Sequence, residues 1–317
     1  MRIRRGRAGV DVLHEASGRW YDTGGADGVP TSVVDFLAGG ERVRDAASAV
    51  VQRAIREGAP STERTASTAF EPRSLRCFAG WEQHWSQAAT TMVKHHLPAV
   101  IPLARAYRAV TRRTFPPLAP GAEFDRHPVY YTGNHLTVVG DGDPMPWPRY
   151  TEKLDFELEY AAIVARPVRD ATAAEAEAAI GGFVVFDDFS ARDVQWVEQR
   201  QGPFGPVIKT KTFASSMSAE VVTADEILPV LGDLTGTVTV NDEVWSSTGT
   251  AGARWSIADA LAYASRGETV GPGEALSSGT LPSGCGLELD RWIRPGDRVS
   301  LSIEKIGSVT NTVAEPT

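Results

Sequence analysis

Cysteine is nearly absent from this chain: Cys77 and Cys285 are the two in 317 residues. That excludes a disulfide framework and leaves apolar packing to hold the fold. Long apolar runs are missing too. No stretch of about eighteen apolar residues occurs, so no membrane-crossing helix is expected. The start, Met1-Arg2-Ile3-Arg4-Arg5, is basic like the front of a secretory leader, yet no apolar segment follows it. A cytoplasmic location is the expectation. Positive charge is also in deficit, with 32 Lys and Arg against 40 Asp and Glu and a net charge of −8. Nucleic acid and anionic membranes are polyanions, so neither is expected as a partner. A small anionic substrate stays open, because it needs only a locally positive pocket.

What is present fits an ordinary globular protein: 42% hydrophobic and 23% charged residues, in a chain long enough to bury a sizeable core. Residues 1–70 read as a small α/β region ahead of a domain spanning 71–317. Val10 to His14 and Arg19 to Asp22 flank Ala16-Ser17-Gly18 as a hairpin would. Val43 to Glu57 carries apolar residues at helical spacing. Ala59 to Ala69, rich in Ser, Thr and Pro, reads as a linker. His14 stands alone and reads as structural.

The chemistry begins at Leu154-Asp155-Phe156-Glu157-Leu158-Glu159, which alternates and then becomes uniformly apolar through Val164. A strand entering a core has this pattern. Period two puts Glu157 and Glu159 on one face, roughly 6.6 Å apart along the backbone. A hard divalent cation would relieve their repulsion; a solvated acidic face with ordinary ion pairs is the alternative. A second apolar strand, Gly182 to Phe186, ends in Asp187-Asp188. Paired beside the first, it could deliver a third carboxylate. Thr172 to Ile180 between them reads as a helix, and Thr237 to Trp245 as a hairpin.

These stretches, together with Phe189-Ser190-Ala191-Arg192-Asp193, Gly279-Thr280, Gly284-Cys285-Gly286-Leu287-Glu288-Leu289 and Arg294-Pro295-Gly296-Asp297, closely resemble the fumarylacetoacetate hydrolase family, in family order from about Leu75 onward. The resemblance implies an α+β fold, the family's mixed β-sandwich roll, and a homodimer. It implies metal ligation by Glu157, Glu159 and Asp188, with Mg²⁺ or Mn²⁺ as the ion and Ca²⁺ as a further option. His84 matches the histidine that activates water, with Glu288 to orient it. Lys211 falls where relatives carry a lysine, at the end of a glycine-rich turn. Arg192, Gln195, Tyr131 and Thr280 are the implied substrate contacts, and Asn134 stands behind them.

One departure is visible. Relatives commonly carry aspartate at the position of Cys77, and a thiolate matches Mg²⁺ poorly. A three-carboxylate site with Cys77 as a buried neutral neighbour is the favoured reading; an altered metal or activity is the alternative. Residues 85 to about 117 read as helical, and the resemblance makes this stretch a lid that brings Arg105, Arg108, Arg112 and Arg113 near the pocket. His95 and His96 diverge by about 100° on a helix and are left out of the site.

The implied activity is metal-dependent hydrolysis of a C–C bond in a 2,4-dioxo or 3-oxo acid. Decarboxylation and keto–enol isomerisation use the same enolate chemistry and remain alternatives. So does a binding relative without catalysis.

Overall fold

The computed structural model describes residues 1–316. Among them lie an eleven-stranded mixed sheet and a five-stranded sheet, with the helices Val33–Ala38 and Gly40–Arg56 packed against one face of the larger one. The larger sheet is centred on Leu158–Val164, which pairs antiparallel with Ile180–Asp187 on one side and Glu274–Ser277 on the other. All seven residues of Leu158–Val164 are buried. Burial on both faces explains why the run does not alternate in polarity.

The two faces meet different partners. Leu158, Tyr160, Ala162 and Val164 join Val238, Val299, Leu301 and Val309 of the five-stranded sheet in one core. Ala161 and Ile163 join Phe36, Leu37, Val43, Ala47 and Val51 of the first two helices, Val33–Ala38 and Gly40–Arg56, in a second. By strand alternation Glu159 belongs to this second face, where Cys77, Tyr131 and Phe186 also pack. The mixed α+β architecture expected from the sequence is present.

Three local expectations are modified. The basic start is a strand, Arg2–Arg5, paired with Glu220–Thr223 and with Val10–His14. Its arginines are tolerated because each has an acid: Arg2 meets Glu220, Arg4 meets Asp11 and Arg5 meets Glu71. The stretch read as a linker has no regular structure but is fastened down. Arg4 donates to the Thr62 carbonyl at 2.8 Å, and Ala69 and Phe70 are buried. The helical stretch after His84 is divided into Glu82–His96 and Val100–Thr111, and a 3₁₀ turn follows at Pro116–Leu118. Pro98 accounts for the break, since it disfavours helix at the residue before it. The hairpin turn at Asn241-Asp242 has positive φ at both residues, 50° and 67°, which Asn and Asp tolerate better than most. Among the described residues no helix is long and apolar enough to cross a membrane.

Candidate active site

Glu157 lies just ahead of the central strand, Glu159 is its second residue, and Asp188 follows the end of the paired strand. Register places Glu159 opposite Phe186 and Leu158 opposite Asp187. The two acidic ends therefore meet. Asp187 does not enter the cluster; its Oδ1 accepts from the Glu157 N–H at 2.8 Å and fixes the turn. Asp188, on the alternate side, does enter. One oxygen from each of Glu157, Glu159 and Asp188 lies within 4.8 Å of the others, and all three residues are buried. They line a cavity of about 260 Å³ together with Cys77, His84, Tyr131, Gln195, Lys211 and Thr280.

Buried carboxylates need compensation. The Lys211 ammonium supplies part of it, 2.5 Å from Glu157 Oε2, 2.8 Å from Asp188 Oδ2 and 2.7 Å from Ser190 Oγ. Arg192 supplies more, with Nη2 2.7 Å from Glu157 Oε1 and Nε 2.7 Å from Asp155 Oδ2. Burial alone would raise the Glu157 carboxyl, but Lys211 and Arg192 hold it far below the usual carboxylate range. Glu159 has less help, with Lys211 acting on it only at a distance. Burial and the charges of Asp188 and Glu157 push its carboxyl well up. Its close partners are neutral: the Gly279 N–H at 3.2 Å and the Thr280 hydroxyl at 3.4 Å. Burial also raises Asp188, against Lys211.

The donor set tests the implied ion. Asp188 Oδ2 takes Lys211 and the Tyr131 hydroxyl, at 2.5 Å, while Oδ1 is buried and without a partner among the described residues. An oxygen with nothing to bond and a carboxylate with no cation both face the same few ångströms. A hard divalent cation satisfies both, and an all-oxygen set suits Mg²⁺, Mn²⁺ or Ca²⁺. Cys77 lies outside the trio. Burial, with Asp188 and Glu159 nearby, pushes its thiol well up, so it stands as a neutral neighbour.

His84 is in the first turn of Glu82–His96, and its Nδ1 is 2.9 Å from Glu288 Oε2. The ring N–H is not aligned with that oxygen, so Nδ1 is buried without a hydrogen bond among the described residues. Glu288 is itself fixed: its Oε1 accepts from the Ser283 N–H at 2.9 Å, and its Oε2 takes the Cys285 thiol at 3.3 Å. With Nδ1 turned to Glu288, Nε2 is the nitrogen left for the cavity.

Arg192 requires a correction. Expected among the substrate contacts, it is 2% exposed, and each of its three nitrogens already donates to the protein, the third to Gln195 Oε1 at 3.1 Å. It positions Glu157 instead of reaching into the cavity. Gln195, on the same helix Arg192–Gln201, does line the cavity. Tyr131 and Thr280 reach it but are bonded to Asp188 and Glu159. Asn134 is used by its own turn, accepting from the Leu136 N–H and donating to the Thr212 carbonyl. Arg105 and Arg108 face a different cavity, of about 350 Å³, beside Glu288, while Arg112 ends its helix with positive φ. His95 meets Asp290, and His96 stacks on Trp196.

The sequence reading missed Asp155. It accepts from Arg192 and from the Gly286 and Leu287 N–H groups at 2.8 and 2.9 Å. One buried acid thereby ties the turn carrying Glu288 to the arginine that holds Glu157. Its place in the alternating stretch was a signal, since a third acid at the wet end of a strand also needs a partner.

The fumarylacetoacetate hydrolase C-terminal family model matches residues 100–314. Human oxaloacetate tautomerase FAHD2B is 28% identical over 190 residues, 59% of each chain. Oxaloacetate tautomerase YisK of Bacillus subtilis is 26% identical over 204 residues, 61% of this chain and 63% of that one. The chain thus spans about three-fifths of the length of these two relatives. Among solved structures, a fumarylacetoacetate hydrolase from Exiguobacterium antarcticum superposes with TM-score 0.63 at 23% identity, over 99% of both chains. A fumarylpyruvate hydrolase from Pseudomonas aeruginosa, in complex with Mn²⁺ and pyruvate, does so with TM-score 0.56 at 18% identity, over 80% of this chain and 92% of that one.

Proposed function

From the premise that this chain belongs to the fumarylacetoacetate hydrolase family, we propose that it is a divalent-metal-dependent enzyme that enolises a small 2-oxo acid, with keto–enol tautomerisation as its reaction. The observation that carries this reading is one cavity of about 260 Å³ lined by the three-carboxylate cluster, an ammonium bonded to it and a histidine whose Nδ1 faces Glu288. The names of the human and Bacillus relatives support it. The Pseudomonas structure holds pyruvate, also a 2-oxo acid.

Glu157, Glu159 and Asp188 would hold Mg²⁺ or Mn²⁺, which when bound draws electron density from an oxo oxygen and acidifies the neighbouring C–H. His84 Nε2 takes that proton, and Glu288 balances the imidazolium that forms. Lys211, whose charge is secured by Asp188 and Glu157 against the cost of burial, has its three N–H groups on Glu157, Asp188 and Ser190 and so would favour the developing enolate by its positive charge beside the cluster. Returning the proton to oxygen completes the tautomer with no water consumed. Arg192 holds Glu157 in place. Cleavage of a C–C bond by hydrolysis is the second reading, because a His–Glu pair also serves to activate water, and the Pseudomonas neighbour carries a hydrolase name. The same reading takes a small oxo acid, not a nucleic acid or a membrane, as the partner, and a homodimer as the assembly, which sedimentation would check.

The test is product analysis with Mg²⁺ or Mn²⁺ and either oxaloacetate or a 2,4-dioxo acid. Faster loss of the enol absorbance at constant mass supports tautomerisation. Two fragments support hydrolysis, and release of CO₂ supports decarboxylation. No acceleration with either metal leaves a binding protein and overturns the proposal.

A further inference from the structure

We propose that His84, Cys285 and Glu288 form a second metal site, suited to a borderline-soft ion such as Zn²⁺, whose occupation shuts down the base. A ring nitrogen of His84, Cys285 Sγ and a Glu288 oxygen lie within 4.8 Å of one another. Nδ1 is 2.9 Å and Sγ 3.3 Å from the same Oε2. Tetrahedral zinc, with bonds of about 2.0–2.1 Å to nitrogen, about 2.0–2.2 Å to oxygen and about 2.3 Å to sulfur, spaces such donors about 3.3–3.7 Å apart. The ion therefore enters by opening these contacts a few tenths of an ångström.

The three donors already converge on one oxygen: among the described residues Nδ1 has no aligned hydrogen bond, the Cys285 thiol donates only to Glu288 Oε2, and the proposed reaction does not use Cys285. Glu288 keeps its Oε1 on the Ser283 N–H, which leaves Oε2 for the ion. Of the three donors Glu288 borders the cavity of about 350 Å³ lined by Ser86, Gln87 and Ser283, and His84 borders the carboxylate cavity, so the site lies between the two. The two sites share no ligand and differ in hardness: three oxygens suit Mg²⁺ or Mn²⁺, whereas nitrogen, sulfur and oxygen suit Zn²⁺.

On binding, the Cys285 S–H bond breaks, its proton leaves to solvent, and the thiolate bonds the ion. The ion takes the Nδ1 lone pair, so the ring proton must sit on Nε2. That nitrogen then donates where the base has to accept. Zinc occupancy does not depend on the proposed reaction; the loss of turnover does.

Metal-stripped protein is first saturated with Mg²⁺ and then titrated with Co²⁺ as a spectroscopic stand-in for Zn²⁺. The expected result is a thiolate-to-cobalt charge-transfer band at one equivalent, retained in Cys77→Ser and Glu157→Gln and lost in Cys285→Ser. Loss of an outer-shell partner alone weakens metal binding about 10–100-fold, so Cys285→Ser should weaken Zn²⁺ binding by at least about a hundredfold. One equivalent of Zn²⁺ should stop turnover of the wild-type protein and spare whatever turnover Cys285→Ser retains. No charge-transfer band in the folded wild-type protein, or a band that survives Cys285→Ser, overturns the site. A band with turnover untouched removes His84 as the base and leaves the site standing.

Discussion

Glu157 and Glu159 are the same residue two positions apart on one strand end, yet the structure treats them in opposite ways. Glu157 is gripped by Lys211 and Arg192 and keeps its charge without any ion. Glu159 meets one N–H and one hydroxyl, and its carboxyl is pushed up. One half of the site is thus built by the protein, and the other waits for a cation. Burial sets the need for compensation, and the neighbouring charges decide where it is met.

The largest effect is expected at the built half. Glu157→Gln removes the anion between two buried cations, and breaking such a pair costs about 3–5 kcal/mol. Metal-dependent turnover should vanish and the urea midpoint should fall. Glu159→Gln should also abolish turnover but leave the metal-free protein as stable as wild type or more so, because no paired charge is lost. Equal destabilisation by the two variants would break the comparison.

Arg192→Lys comes next. It swaps a planar fork spanning Asp155 and Glu157 for a point charge that can serve one of them. As a positioning residue it should lower kcat by about 10–100-fold, with KM little changed. A rise in KM alone would return it to substrate binding.

The comparison also has a sign in pH. In the metal-free protein Glu159 holds a proton above the usual glutamate range, and an incoming ion must displace it. Metal affinity should therefore rise with pH until that carboxyl is ionised, as calorimetry can follow, and Glu159→Gln should reduce the slope to the part that Asp188 contributes. The metal-free fold runs the other way: folded protein binds the extra proton, so stability falls as pH climbs from the ordinary glutamate value through the raised one. Glu157, whose folded value is depressed, contributes stability that is present above its ordinary value and lost toward acid.

The smallest effect is expected from Cys77→Ala, about 1 kcal/mol of stability with metal affinity unchanged. A clear drop in affinity would make the thiol a ligand after all.

Much of this was legible without coordinates. Alternation from Leu154 onward marks a strand and puts Glu157 and Glu159 on one face, because side-chain direction has period two regardless of what packs above it. The capping box of Thr172 and Glu175 is likewise local, and the helix Ala173–Ala179 follows it. The acids that could meet an ion were therefore visible, as was His84 through its motif. Their counter-charges were not. Arg192 lies 37 residues from Asp155, and Lys211 lies 54 from Glu157. Whether an arginine four residues after Asp188 meets substrate or a buried acid depends on which strand ends the sheet brings together. Local sequence determined the strands, the acids and the helix caps, since those depend on neighbours along the chain. Only the tertiary structure decided which acids keep a charge, because in a dry interior that depends on cations delivered from distant segments.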